Sequence, residues 1–174
     1  SNFMTRESIA RSARLGVALD VQPIWLHLDT RTLVQQFGYD RLRWFQPLRS
    51  ILAAGGMTGG GSDHMLKIGD QRAINPYNPF LAMWTTISRR AKWYKGQLHP
   101  EEALTRRQAI EFYTRNNAHL LFWEKELGSL EPGKRADFIV IDRDLLACPL
   151  DEWKDTRVLE TWVEGRAVFR RNVP

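Results

Sequence analysis

Ser62, Asp63 and His64 follow three consecutive glycines in the run Met57-Thr58-Gly59-Gly60-Gly61-Ser62-Asp63-His64-Met65-Leu66. The run presents a hydroxyl, a carboxylate and an imidazole in adjacent positions, and a carboxylate is the group that can hold a metal or take a proton from water. Glycines strip away side chains where another segment must come close, each at about 1 kcal/mol of backbone entropy. A glycine-lined strand end bearing an acid is one reading. A solvated, flexible loop is the other, and the stretch alone does not choose between them. Of the four histidines, at 27, 64, 99 and 119, none forms a His-x-His or His-Glu-x-x-His pair, so the chain carries no self-sufficient metal motif. His99 and His119 read as structural or exposed. His27 and His64, at expected strand ends, read either as substrate contacts or as structural histidines, and Trp25 in Ile24-Trp25-Leu26-His27 joins them as a wall of the candidate site.

Other chemistries fail on spacing. Gly56 and Gly61 stand at P-loop distance, but Ser62 occupies the position where the phosphate-binding lysine belongs. Gly59 and Gly61 are followed by His64 where a dinucleotide fingerprint needs glycine. Ser62 is not flanked by glycines at both positions that a nucleophile elbow requires, since His64 stands where the second belongs. Neighbours on a strand point to opposite faces, so Ser62, Asp63 and His64 are no triad by adjacency.

The elements that must position these residues are legible. Thr5 caps a first helix that Gly16 closes, and residues 17–22 then read as a strand stopped by Pro23. A short helix is expected over 30–37 and a longer one over 43–54, despite Pro47, ended by Gly55-Gly56. The glycine run then forms a second strand about 40 residues after the first. Two strands, each preceded by a helix and each ending in a polar or aromatic loop, match an α/β barrel or doubly wound sheet, whose sites lie at the carboxyl ends of the strands.

Asn78 as cap and Pro79 at the first helical position open an amphipathic helix with Phe80, Met83, Trp84 and Ile87 on one face. That stripe is a core face. Thr105 and Gln108 form a capping box for a helix that continues loosely over 116–122. From about residue 127 the character changes. Glu131-Pro132-Gly133-Lys134 suits a type II turn, residues 138–142 read as a buried strand, and 158–163 with 166–169 form a hairpin around Glu164-Gly165.

With 174 residues, 43% of them hydrophobic, the chain can support a sizeable core. No apolar run approaches the roughly 20 residues that span a bilayer, so no membrane partner is expected. The lone Cys148 favours a reducing, cytoplasmic setting. The net charge of +5 is scattered, and its densest run, Arg89-Arg90-Ala91-Lys92-Trp93-Tyr94-Lys95, reads better as the solvated end of a helix than as a nucleic-acid track.

Three elements in order carry a family resemblance: Gly61-Ser62-Asp63 at a strand end, the Thr-x-Asn-x-Ala element formed by Thr114, Asn116 and Ala118, and Gly128-Ser129-Leu130-Glu131-Pro132-Gly133-Lys134-Arg135-Ala136-Asp137. With the closing Thr161-Trp162-Val163-x-Gly165-Arg166 hairpin they resemble the C-terminal part of metal-dependent amidohydrolases of the amidohydrolase 3 group, which includes N-substituted formamide deformylase-like enzymes. The resemblance implies an α/β fold: about the last two βα units of a (β/α)8 TIM barrel over 1–126, then strands of a small β-sandwich over 127–174. It implies a divalent metal, usually zinc, with Asp63 binding the metal or its water and acting as general base in hydrolysis of a C–N bond in a small amide-like substrate. The family's His-x-His, bridging ligand and further histidines are missing, and a whole barrel takes about 250 residues. A C-terminal fragment, inactive by itself, is therefore expected. A non-catalytic binding or assembly module is the alternative, with self-association through exposed barrel and sheet surfaces.

Overall fold

The computed structural model describes residues 2–64 and 77–172. Met65 and Leu66 of the glycine run lie outside them. Helix α1 (Arg6–Arg14) starts where Thr5 Oγ1 accepts from the Ser8 N–H and Ser8 Oγ reciprocates at the Thr5 N–H, a capping box. It leads through Gly16 (φ +65°) into strand β1 (Ala18–Asp20).

Helix α2 (Pro23–Phe37) begins at the proline, earlier than the expected 30–37. A proline that stops a strand has the φ needed at the first helical position and gives up an N–H that has no partner there. Residues 24–27 therefore sit on a helix, where a loop wall was expected. The helix expected over 43–54 is also revised. A 3-10 turn (Asp40–Trp44) is followed by an extended Phe45, a left-handed Gln46 (φ +49°) and Pro47, and only then by α3 (Leu48–Ala53). The residue before a proline avoids the helical region, which breaks the segment at Gln46.

Strand β2 (Met57–Gly59) pairs in parallel with β1, Ala18 opposite Met57, Leu19 opposite Thr58 and Asp20 opposite Gly59. Helix α4 (Pro79–Ser88) opens on Asn78, whose Oδ1 accepts from the N–H groups of Phe80 and Leu81. Its Phe80, Met83 and Trp84 join Val21, Leu48, Phe112 and Trp153 in the main core, as the sequence spacing requires. Helix α5 (Arg106–Tyr113) carries the Thr105–Gln108 capping box, and a break at Thr114 separates it from α6 (Arg115–Leu120).

Gly133 (φ +92°) makes the expected turn, and Lys134 Nζ ties that loop together by donating to Glu124 O and Ser129 Oγ. Strands β3 (Phe138–Ile141), β4 (Val158–Val163) and β5 (Arg166–Arg170) form an antiparallel sheet in the order β3-β4-β5. The β4–β5 turn places Glu164 and Gly165 at positive φ, the combination that suits the twist of a two-residue hairpin. Strand β3 was expected to be buried, but Ile139 is 47% and Val140 39% exposed, and all of β5 is exposed. Among the described residues nothing packs over these side chains closely enough to bury them. No helix among the described residues is long and apolar enough to cross a membrane.

Candidate active site

The two parallel strands bring their carboxyl ends side by side. The ladder runs on past the formal strands, with the Val21 N–H donating to Gly59 O at 2.9 Å. At this point the chains approach so closely that a Cβ on Gly60 would lie 1.6 Å from Val21 O. The far edge of β2 is held by side chains. Asn116 Nδ2 donates to Thr58 O (2.7 Å), the Gly60 N–H donates to Asn117 Oδ1 (2.7 Å), and Asn117 Nδ2 donates to Gly60 O (2.9 Å). Two amides thus occupy two carbonyls and an N–H that a further parallel strand would take up. The half-buried Tyr113 hydroxyl adds a bond to Gly61 O at 3.3 Å, and burial first, then the charge of Asp20, raise its pKa.

From this braced glycine segment the chain turns out at Asp63, which is exposed and left-handed (φ +50°), a conformation that aspartate tolerates better than most residues. Its Oδ2 accepts from Trp25 Nε1 at 3.0 Å. Trp25 stands in the first turn of α2, directly after β1, so the bond joins the two strand ends. His64 sits beside Asp63 in sequence but has other partners: its N–H donates to Ser62 Oγ (3.2 Å) and its ring meets Tyr77 edge-on at 5.2 Å.

His27 follows Trp25 by two residues, about 200° further round the helix. Its ring packs edge-on against Trp84 of α4 at 6.1 Å, and its Nδ1 is buried with no hydrogen-bond partner among the described residues. Trp25, Asp63 and His64 therefore share the strand-end region, while His27 lies against the core. Burial pulls the His27 pKa down; a backbone hydrogen bond at Arg90 opposes this and the Lys92 charge adds to it. The unfolded chain binds this proton more readily, so the stability tied to neutral His27 is full above pH 6.5 and declines as the pH falls below that value. Denaturant midpoints measured between pH 7.5 and 5 are expected to fall less steeply for His27→Gln than for the parent chain; equal slopes would count against the assignment.

His99 is structural, as expected. It is buried, stacked on Tyr39 and bonded to Tyr39 O and Glu101. The roles of Tyr113, Asn116 and Asn117 were not read from the sequence. The signal available was the Thr-x-Asn-x-Ala element itself, whose amides serve the backbone of β2.

The metal that the resemblance implies is not accommodated by these residues alone. Among the described residues no three His, Cys, Asp or Glu side chains gather as a metal-binding group. Asp63 is one carboxylate, and its neighbour His64 is turned to Tyr77.

A parallel β-pair flanked by helices, an acid at its carboxyl end and a small antiparallel sheet after it define a mixed α/β segment with a candidate site at its strand ends. The chain belongs to the amidohydrolase family, whose model matches residues 1–169. It is 37% identical over 125 residues to the N-substituted formamide deformylase of Arthrobacter pascens, a match covering 72% of this chain and 21% of that protein. Among solved structures it is similar to an uncharacterized metal-dependent hydrolase from Pyrococcus horikoshii OT3 (TM-score 0.70, 25% identity, 86% of this chain and 29% of that one). It is also similar to an adenosine deaminase from Xanthomonas campestris with bound zinc (TM-score 0.67, 19% identity, 95% and 35%). The second likeness is one of fold. The chain spans 21% and 31% of the length of the first curated relatives it matches, and its architecture is that of a mixed α/β piece of such hydrolases.

Proposed function

We propose that this chain supplies one wall, and the proton-transferring carboxylate, of an enzyme that hydrolyses a C–N bond in a small non-peptide amide, with N-substituted formamides as the class to test first. The observation that carries the reading is Asp63, set at the carboxyl end of a parallel strand pair and bonded there to Trp25. The substrate class is taken from the name of the relative at 37% identity. On this reading residues 1–126 are the last two βα units of a (β/α)8 barrel and residues 127–174 are strands of a small β-sandwich, the rest of the site lying on other parts of a longer protein.

The chemistry assigned to this chain needs one base. Asp63 takes a proton from the attacking water as its oxygen bonds to the formyl carbon, then returns that proton to nitrogen as the C–N bond breaks. The products are an amine and formic acid. The family relatives include hydrolases described as metal-dependent, and because the residues here do not complete a metal-binding group, no step is assigned to a metal.

The test is Asp63→Asn in the full-length protein with an N-alkyl formamide, following formate release. A fall in kcat of about 10²- to 10⁴-fold is expected on losing the base, and undiminished turnover would refute the assignment. The 174-residue chain alone is expected to show no turnover.

A second reading rests on a separate observation. Ile139, Val140, Val163, Val168 and Phe169 are exposed on the antiparallel sheet, and apolar surface of this kind promotes association. Light scattering of the chain is expected to show mass rising with concentration, and Phe169→Lys to suppress the rise. A monomer at every concentration would remove this reading.

A further inference from the structure

We propose that Trp25 is a positioning residue that sets the orientation of the Asp63 carboxylate through its indole N–H; the inference rests on the reading of Asp63 as the base. The bond is 3.0 Å long and spans 38 residues of sequence, linking the end of one parallel strand to the end of the next.

The two partners differ in how firmly they are mounted. Trp25 occupies the first turn of a fifteen-residue helix that starts at Pro23. The residues on either side of it, Ile24 and Leu26, are 0% and 1% exposed, so the helix turn that carries the indole is anchored in the core. Asp63 is mounted on Gly59-Gly60-Gly61-Ser62, is itself exposed and is left-handed in backbone. The side chains of Asn117 and Tyr113 hold the backbone of that segment at Gly60 and Gly61. The indole reaches the carboxylate from the neighbouring strand end and fixes the direction from which one of its oxygens is held.

Indole is suited to this task. Its nitrogen donates one hydrogen and has no acceptor. It is neutral throughout the range in which a carboxylate works, so it neither competes for the proton in transfer nor binds a metal in place of the acid. A brace of this kind acts on reaction geometry, where a displacement of about 1 Å can cost about 100-fold in rate. A tryptophan that only walled the substrate would act on binding.

The experiment separates these roles. In the full-length protein acting on an N-alkyl formamide, Trp25→Phe keeps an aromatic ring and removes the donor. A fall in kcat of about 10- to 100-fold is expected on misplacing the base, with KM staying within about twofold because ground-state binding is not the lost term. A raised KM with unchanged kcat, or no change in either, overturns the proposal. Asp63→Asn distinguishes this failure from failure of the base assignment: full activity there sinks the base reading itself, whereas an inactive Asp63→Asn with a normal Trp25→Phe sinks the brace alone. A second readout needs no activity. In the ¹H–¹⁵N spectrum of the chain, seven tryptophans give seven indole signals, and Trp25→Phe identifies one by its loss. That signal is expected to shift upfield in Asp63→Asn, where a neutral amide oxygen accepts more weakly than a carboxylate. An unmoved Trp25 signal would show that the bond is not made.

Discussion

Gly60→Ala is expected to abolish stable folding of the chain, a loss of more than about 4 kcal/mol, the range reserved for substitutions that force the backbone apart. The added Cβ would stand 1.6 Å from Val21 O and 2.7 Å from Val21 C. These are backbone atoms of the paired strand, so no rotamer change relieves the overlap and β1 and β2 must separate. The neighbouring glycines grade the effect. At Gly59 the nearest atoms are side-chain ends, Asn117 Oδ1 at 2.5 Å and Leu120 Cδ1 at 2.8 Å. Partial repacking is available there, and about 1–3 kcal/mol is expected, as for other overpacked sites. At Gly61 nothing among the described residues lies within 4 Å and φ is outside the left-handed region, so alanine is expected to be within about 0.5 kcal/mol of neutral. Urea unfolding of the three variants checks the order. A Gly60→Ala chain as stable as its parent would contradict the close pairing on which the site is built.

The second large effect is expected at Arg89. Its side chain is wholly buried at the left-handed end of α4, and burial draws its pKa down to about 10 against the opposing charges of Glu102 and Glu101. It remains a cation at neutral pH. The guanidinium donates from Nε to Leu98 O (2.9 Å), from Nη1 to Gln46 O (2.9 Å) and from Nη2 to Phe45 O (3.2 Å). Arg89→Met leaves three buried carbonyls without these donors, with an expected cost of about 3–5 kcal/mol, as for removing one partner of a buried charged group. For a chain of this size the melting temperature falls on the order of 10 °C. Arg89→Lys keeps the charge but places all its donors on one nitrogen, and little recovery is expected. Thermal unfolding followed by circular dichroism checks both, and a parent-like melting temperature for Arg89→Met would contradict the role.

The consequence reaches the site. Gln46, whose carbonyl Arg89 holds, donates from Nε2 to Gln22 O (2.9 Å), and Gln22 is the cap of the helix that carries Trp25. Loosening Arg89 is therefore expected to loosen the mount of the indole that braces Asp63.

Arg89 also shows where sequence reading stops. It opens the basic run 89–95, which on sequence is a solvated, charged helix end. In the structure Arg89 is buried, Arg90 pairs with Asp151 at 3.1 Å and Lys92 lies over the Trp93 ring. Charge type is visible in a sequence, whereas two of the three carbonyls that capture it lie more than 40 residues away in the chain.

The elements that were legible depend on signals a few residues long. Asn78-Pro79 with the Phe80, Met83 and Trp84 stripe specified α4 and its buried face. Thr105 with Gln108 specified the start of α5, and Glu164-Gly165 the hairpin. Each is a local preference that packing reinforces. Pro23 was legible as a stop but not as the start of α2, because the same fixed φ serves both. Apolar composition made 138–142 look buried, but burial depends on what covers a sheet, and that is not encoded in the strand.

The glycine run and its acid were conspicuous from the sequence alone, residue spacing excluded phosphate, dinucleotide and serine chemistries, and the family resemblance singled out Asp63 from its neighbours. Only the tertiary structure decided which glycine is indispensable, that Trp25 and not His27 reaches the carboxylate, and that Asn116 and Asn117 hold the strand's other edge. The physical reason is range. Residue chemistry and turn propensity are carried by neighbours in the chain, but a parallel strand pair places together residues separated by a whole helix, and the hydrogen bonds that orient Asp63 exist only once that pair has formed.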